Sequence, residues 1–310
     1  MDYVDVISSI VQLGVMYATP LALASSGEVI SERAGVINLG IEGIMLMSAF
    51  VGVHVAYVSG DAVLGYLIGT LAGAALGLLL ALLSVIFRLD QVIAGMGIYF
   101  LGFGLSDFLF RSIYGTTTVY VTPLPRIGVP LLDDVPVIGQ GFFVHDPVVY
   151  LSYAVVALTW LFVFRTKWGL ALRAVGENPK AADSMGINVT KTKVLAVVAC
   201  SSLAGLAGAQ LGIGVTNTYY ENLTYGMGFI AVGLVYFGRW EPVRAFVGAL
   251  IFGLAWSVAS TLQPYFIGIG RPEMSYLLLM LPYLLIVIFL VIISRGTKGP
   301  AWLGRPYFRE

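Results

Sequence analysis

The chain has 310 residues, of which 58% are hydrophobic and only 11% are charged. Water-soluble domains contain about 25% charged residues, so this chain carries more apolar surface than a water-soluble core could bury. Its 17 Lys and Arg residues balance its 17 Asp and Glu residues, and a chain without excess positive charge is not expected to bind nucleic acid. The composition therefore indicates a protein that is solvated by a lipid bilayer.

Apolar runs of about 20 residues, the length that crosses a bilayer as a helix, recur along the whole chain. Nine are predicted, at residues 4–24, 36–58, 64–87, 92–110, 148–164, 194–215, 227–237, 245–262 and 275–293. The seventh run is too short for a straight crossing and is predicted to be re-entrant or broken. The expected fold is an all-α polytopic membrane protein with about nine (8–10) spans, in which residues 1–310 form a single transmembrane domain.

The basic residues fall unevenly on the two sides that these nine spans define. One side collects 14 of the 17 Lys and Arg residues, and the other holds Arg111, Arg126 and Arg271. Because the positive side is normally cytoplasmic, the amino terminus is predicted outside and the carboxyl terminus inside. Residues 111–147 then form an extracytoplasmic loop, an irregular cap or a small hairpin, and residues 165–193 form a cytoplasmic loop.

The cytoplasmic loop contains a complete specification for a short helix. Asn178 is a favourable N-cap, Pro179 suits the first helical position, and Gly186 is a favourable stop. A helix of about two turns is marginal in water and needs a surface to pack on. Two readings remain open from these features: the helix lies on the membrane, or an apolar knob of Ala181, Ala182 and Met185 docks on a soluble partner.

Two polar residues lie near the start of the second predicted span. Glu42 follows Asn38 by four residues, which on a helix places both side chains on one face. An ionisable group inside a membrane costs about 2.5 to 3.5 kcal/mol on insertion scales and needs a reason to be there. The two side chains either hydrogen-bond a neighbouring helix or line a path for a polar solute.

Two sets of glycines recur at helical spacing inside predicted spans. They comprise Gly69, Gly73 and Gly77 in the third span and Gly205, Gly208 and Gly212 in the sixth. Small residues at this spacing allow helix backbones to approach closely in a membrane. Both sets are therefore predicted to be packing seams.

Neither metal nor nucleotide chemistry is predicted for the chain itself. His54 and His145 are expected singly near the outer surface, and the lone Cys200 lies in an apolar run, so no metal site is expected. The phosphate-binding motif G-x-x-x-x-G-K-[ST] is absent from the sequence. No nucleophile and base pattern of a membrane enzyme is visible, so no catalytic residue is predicted and energy must come from a partner or a gradient.

Three segments resemble a known transporter family. Residues 171–189, ALRAVGENPKAADSMGINV, resemble the coupling-helix motif of permeases of the branched-chain amino acid and simple-sugar ABC importers. Residues 32–50 resemble the second-helix motif of the nucleoside and sugar branch, and residues 228–242 resemble its late broken helix. The resemblance implies a permease in a prokaryotic inner membrane that pairs with a second copy or a paralogue, two cytoplasmic ATPase subunits that bind ATP and Mg, and an external solute-binding protein.

The resemblance also suggests positions for the functional residues. The segment that would dock on the ATPase comprises Gly176, Glu177, Asn178, Pro179, Ala181, Ala182, Asp183, Met185 and Gly186. Asn38, Glu42 and Gln91 are candidates for the solute path, together with Tyr99, which stands where the nucleoside branch often has asparagine. Nucleosides are the first expectation for the solute and simple sugars the second. The alternative is an ion-coupled secondary transporter, which would need buried charge pairs, and no cationic partner for Glu42 is evident in another span.

Overall fold

The computed structural model describes residues 3–130, 133, 135, 137–293 and 298–308. Within these residues the chain is almost entirely helical. The helices are α1 (Tyr3–Arg33), α2 (Ile41–Ser59), α3 (Ala62–Ala81), α4 (Gln91–Tyr114), α5 (Ile138–Phe143), α6 (Pro147–Arg165), α7 (Lys167–Glu177), α8 (Pro179–Ser184), α9 (Val189–Ala209), α10 (Met227–Phe237), α11 (Pro242–Gly268) and α12 (Pro272–Ile293). Short π-helical stretches, Leu82–Ile86 and Gln210–Val215, extend α3 and α9.

Each of the nine predicted apolar runs has a helical counterpart in the described part of the chain. Seven helices, some with their π-helical extensions, are long and apolar enough to cross a membrane, α10 (Met227–Phe237) is shorter, and α12 is apolar over Glu273–Phe289. Helix α10 has the bounds that the sequence predicted for the short late element. The prediction of a polytopic all-α membrane protein is therefore confirmed.

Helix α1 lies at the centre of the bundle, where it packs against α9, α10 and α11. It ends at Arg33, so the predicted end at residue 24 was wrong. The polar residues Ser25, Glu28 and Glu32 were expected to follow the span, but they continue the helix and are fully buried. Ser25 donates to the carbonyl oxygen of Ala22 in its own helix, and other parts of the chain donate to Glu28 and Glu32. Because these polar groups have partners inside the protein, the helix does not have to end where they begin.

The predicted glycine seams are confirmed. A side chain on Gly73 would place its Cβ 2.6 Å from the Cα of Gly205, and one on Gly69 would lie 2.9 Å from the carbonyl oxygen of Ser48. Gly212 lies against the side chain of Val53, whose Cγ2 would be 2.7 Å from an added Cβ. Small residues thus let α2, α3 and α9 meet backbone to backbone, as helices do where hydrophobic collapse cannot drive association.

Two stretches of non-helical backbone lie within the bundle. Residues 34–40 separate α1 from α2, so the second helix starts at Ile41 instead of the predicted residue 36. Residues 216–226 lead from the end of the α9 extension to the start of α10. Such backbone is tolerated at membrane depth only where protein groups satisfy it or where it lines a cavity.

The loop predicted to be extracytoplasmic contains a small hairpin, one of the two forms that its composition indicated. Strands β1 (Ile127–Gly128) and β2 (Val144–His145) pair antiparallel, whereas the β-branched run at residues 116–122 contributes only a bridge from Tyr120 to Thr218. His145 belongs to β2 and is fully buried in the protein, while its expected place near the outer surface of the membrane stays a prediction.

Candidate functional site

Asn38 lies in the non-helical segment 34–40, so the predicted helix face shared by Asn38 and Glu42 does not exist. Its backbone N–H donates to Oε1 of Glu28 at 2.8 Å, and its side-chain Nδ2 donates to Sγ of Cys200 at 3.5 Å and to Oγ of Ser201 at 3.3 Å. Its Oδ1 is buried and has no hydrogen-bond partner among the described residues. Asn38 therefore ties segment 34–40 to both α1 and α9.

Gln91 of α4 hydrogen-bonds to the same non-helical segment, residues 34–40. It is the first residue of α4 and is buried. The backbone N–H of Ile37 donates to Oε1 of Gln91 at 3.0 Å, and Nε2 of Gln91 donates to the carbonyl oxygen of Gly35 at 3.4 Å. The structure thus brings Asn38 and Gln91 together around one strip of irregular backbone.

Glu42 meets the beginning of α10. Its Oε1 accepts hydrogen bonds from Oγ1 of Thr224 and from the backbone N–H of Gly226 (2.8 Å), while Oε2 accepts from the N–H of Gly228 at 2.6 Å. The first N–H groups of a helix lack partners within the helix and carry partial positive charge, so a carboxylate is a favourable acceptor there. Glu42 joins α2 to α10 across the bundle.

Tyr99 lies beside this junction. Its ring is half-buried and packs edge-on against Phe229 of α10, with 5.3 Å between the ring centroids. Gly43 permits α2 to approach α4 at Tyr99, because a Cβ on residue 43 would lie 2.6 Å from the Cα of Tyr99. The four predicted path residues therefore form two groups, Asn38 with Gln91 and Glu42 with Tyr99, and the roles predicted for them stay predictions.

Sequence reasoning missed two buried carboxyl groups in the second half of α1. Oε2 of Glu28 accepts from Sγ of Cys200 at 3.1 Å, and Oε2 of Glu32 accepts from the indole Nε1 of Trp240 at 2.5 Å. The two acids are one helical turn apart, a spacing that places both on one face. That spacing, directly after an apolar run, was the signal that could have identified them.

Helices α7 and α8 occupy the loop predicted to couple the chain to a partner. The Asn178 side chain accepts from the backbone N–H of Ala181 at 3.1 Å, and Pro179 opens α8. Ser184 ends α8 and Gly186 follows with a φ of +83°, a conformation that favours glycine. The short helix that the sequence specified is confirmed, with Asn178 as its N-cap and Pro179 as its first residue.

The composition of the predicted knob differs from the expectation. Ala182 is only 3% exposed and packs with Val175 and Val189, so it cannot be part of a docking surface. Met185 is 82% exposed, and Ala181 is also exposed. The exposed apolar feature of α8 therefore consists of Ala181 and Met185, while Ala182 fixes the helix to its own chain.

Helices α7 and α8, which carry the predicted coupling segment, are attached to the bundle through the end of α1. Gly176 packs directly on the carbonyl of Arg33, and no room remains for a side chain. The backbone N–H of Trp302 donates to the carbonyl oxygen of Gly176 at 2.9 Å, and that of Ala301 donates to Oε2 of Glu177 at 3.2 Å. A displacement of α7 and α8 therefore acts on Arg33, one residue from Glu32.

No group of three His, Cys, Asp or Glu side chains suited to a metal ion occurs among the residues that the structure describes. The polar groups of Asn38 and Gln91, and the carboxyl group of Glu42, are hydrogen-bonded largely by other parts of the chain. Their arrangement can hold segment 34–40 and the start of α10 in place.

The described residues thus form a polytopic bundle with irregular backbone between α1 and α2 and before α10, and with the short helix α8 outside the spans. A profile described as "branched-chain amino acid transport system / permease component" matches residues 10–290. The chain belongs to this family of permeases and is a multi-pass membrane protein.

Curated relatives extend over the whole chain. The guanosine ABC transporter permease protein NupQ of Bacillus subtilis is 36% identical, covering 100% of this chain and 99% of its own length. The nucleoside ABC transporter permease protein NupC of Lactococcus lactis is 35% identical, with 100% of both chains covered. The putative glucose ABC transporter permease protein TsgC13 of Haloferax volcanii is 41% identical over 77% of this chain and 73% of its own. No solved structure matches the chain.

Proposed function

We propose that this permease imports nucleosides as part of an ATP-driven transporter. The observation that carries the proposal is the full-length similarity to two relatives whose names specify guanosine and nucleosides. The relative named for glucose is more identical but matches over a shorter part of both chains. Simple sugars are therefore the second candidate class of solute.

The energy source in this proposal is a separate pair of cytoplasmic ABC ATPase subunits, which bind ATP and Mg. A second permease, either another copy or a paralogue, completes the pore, and an external binding protein delivers the solute. The names of the relatives as ABC transporter permeases support this assembly. The exposed Ala181 and Met185 on α8 are the proposed contact with the ATPase.

The proposed orientation follows from the distribution of basic residues. With α1 starting outside, α7 and α8 lie in the cytoplasm, and the β1–β2 hairpin lies outside. Helix α10 then begins within the membrane and descends toward the cytoplasm. Discontinuous helices of this kind mark solute sites in many transporters.

The proposed solute path runs past the start of α10. Aromatic side chains are available there: Tyr99 is half-buried, while Tyr225 and Phe229 are exposed. Aromatic faces stack on nucleobases with a free energy of about 1 to 3 kcal/mol per base. Because Glu42 is already engaged by the α10 terminus, its proposed role is to hold this wall of the path, with Asn38 and Gln91 holding segment 34–40.

The proposed motion begins at α8 and enters the bundle at Arg33. Arg33 donates from Nε to the carbonyl oxygen of Trp240 at 3.2 Å, and Trp240 donates to Glu32. Movement of α7 and α8 would therefore shift α1 together with the turn that follows α10. Alternating access then results from the movement of α10 against α2 and α4.

The orientation and the docking face can be tested by thiol labelling, since Cys200 is buried. Single cysteines at Met185 and at Tyr120, which are both highly exposed, serve as probes of the two sides. In intact cells an impermeant thiol reagent is expected to label Y120C and not M185C, and in inverted vesicles the reverse. Addition of the ATPase subunits to inverted vesicles is expected to protect M185C. The opposite labelling pattern would overturn the orientation, and labelling unaffected by the ATPase would overturn the docking face.

A competition experiment addresses the substrate. Cells that express the complete transporter should take up labelled guanosine, and an excess of unlabelled adenosine or uridine should reduce the uptake while glucose should not. Absence of guanosine uptake, together with uptake of labelled glucose, would assign the permease to sugars.

A further inference from the structure

A groove of about 600 Å³ lies between α6, α7 and α9, with Ile30 of α1 among its lining residues. This volume is within the range of about 300 to 1,000 Å³ that small-molecule sites occupy. Leu172 and Ala196 are buried residues of its lining, and Trp168 and Leu195 are exposed. Of the residues assigned to the path and to docking, only Gly186, at the end of the predicted docking segment, lines this groove.

The groove follows one face of α9 from its start into its membrane span. Asn188, Lys191, Leu195 and Ala199 line it and recur every three or four residues, which is the spacing of one helix face. The distance from Asn188 to Ala199 is about 16 Å along the helix axis, at 1.5 Å per residue. The polar end therefore lies at the start of the span, and the apolar end lies about 16 Å into it.

The polar end of the groove is basic. Lys191 is exposed and lines it, and none of its lining residues is acidic. Lys167 lies with Nζ 5.6 Å from the ring centroid of Trp168, which is itself 67% exposed. Tryptophan and basic side chains at the end of a span are typical of the level of lipid headgroups.

We propose that this groove binds one anionic phospholipid of the adjacent leaflet. The phosphate lies at Lys191 in the first turn of α9, where the helix dipole also favours an anion, and an acyl chain follows Leu195 and Ala199. Basic pockets between spanning helices bind anionic headgroups in this manner. A soluble partner could not follow the groove down the span, because its apolar end is at membrane depth.

The bound lipid also touches the end of the coupling segment. Gly186 and Ile187, which line the groove, directly follow α8. Ile187 packs in the cluster that contains Ala182 and Val175. The lipid therefore braces the segment that carries the exposed face of α8.

Brominated lipids provide a test, since bromine quenches tryptophan fluorescence at short range. The purified, delipidated full-length permease is titrated with phosphatidylglycerol and phosphatidylcholine that carry the same brominated chains. Phosphatidylglycerol is expected to quench saturably and at lower concentration, and W168F is expected to remove this component. In K191Q the affinity for phosphatidylglycerol should fall about fivefold, the effect of one basic residue at an anionic surface, while the matched surface variant K298Q should bind normally.

A199F fills the apolar end without changing charge and is expected to abolish the same quenching component while the protein stays folded by circular dichroism. Equal binding of the two lipids, or normal phosphatidylglycerol binding by both K191Q and A199F, would overturn the proposal. A change of oligomeric mass in A199F without loss of quenching would also overturn it, because the groove would then hold a second copy of the chain.

Discussion

The carboxylate of Glu42 accepts the backbone N–H of Gly228 at 2.6 Å, and the Cα of Glu42 lies 2.6 Å from the place where a Cβ of residue 228 would be. The same contact therefore uses an acceptor side chain on one helix and requires a glycine on the other. It fixes the start of α10, which has no side-chain cap of its own at Gly226. A helix that begins inside the bundle is held there by a residue of α2.

Replacement of Gly228 by alanine should loosen this junction. The added methyl group has only backbone and the Glu42 carboxylate to move against, and overpacking of this kind typically costs about 1 to 3 kcal/mol. The thermal unfolding midpoint in detergent should therefore fall, and uptake should fall with it. Gly97 of α4 is the matched control, because a Cβ there would meet nothing within 4 Å. An unchanged midpoint for G228A would contradict the close contact.

Removal of the Trp240 indole N–H should leave the buried Glu32 without the donor that serves its Oε2. W240F is expected to destabilise the protein by about 1 to 3 kcal/mol, the usual cost of an unsatisfied buried group. E32Q retains an acceptor oxygen and should cost less. In the double variant the two effects should not add, and a double-mutant cycle based on unfolding free energies measures the coupling. Strict additivity would show that the two side chains do not interact.

Aspartate substitutions on α8 should separate docking from folding. At the exposed Ala181 an aspartate should leave the permease folded but reduce its co-purification with the ATPase by about tenfold or more. At the buried Ala182 it should destabilise the permease itself, because an unpaired charge would enter the cluster with Val175 and Val189. Size-exclusion profiles of the permease alone and of the mixture distinguish the two effects. Normal assembly of A181D would contradict the docking face.

Acid should destabilise the protein partly through His145. Burial lowers the pKa of this side chain from its ordinary value of 6.5, and its Nδ1 has no partner among the described residues. Below about pH 6.5 the His145 side chain is protonated in the unfolded chain while it stays neutral in the folded chain. The free energy of unfolding therefore falls as the pH drops below about 6.5. The slope approaches about 1.4 kcal/mol per pH unit for one proton. H145Q should flatten this part of the stability curve relative to wild type, whereas identical curves would exclude His145 as the cause.

The spans, the short helix α8 and the glycine seams could be predicted from sequence because each depends on local pattern. Apolar length predicts a span, Asn178, Pro179 and Gly186 specify a helix in themselves, and a small residue at every fourth position permits close packing. These features need no knowledge of which helix lies beside which.

The candidate site could be predicted only in part, because its residues act through contacts that are distant in sequence. Asn38 looked helical, yet its partners are Glu28 in α1 and the Cys200–Ser201 pair in α9. Glu28 and Glu32 looked like the end of a span, and only the positions of Cys200 and Trp240 show why they are buried. The burial of Ala182 likewise depends on Val189, which lies beyond the turn.

The most direct test of the proposed function is ATP-dependent accumulation of labelled guanosine in proteoliposomes that contain the permease with its ATPase subunits and binding protein. The expected result is accumulation above the external concentration, with guanosine stimulating ATP hydrolysis and with both activities lost in A181D. Accumulation of glucose or a branched-chain amino acid instead, with no response to nucleosides, would contradict the nucleoside assignment. Uptake that proceeds without ATP and without the ATPase would contradict the importer mechanism itself.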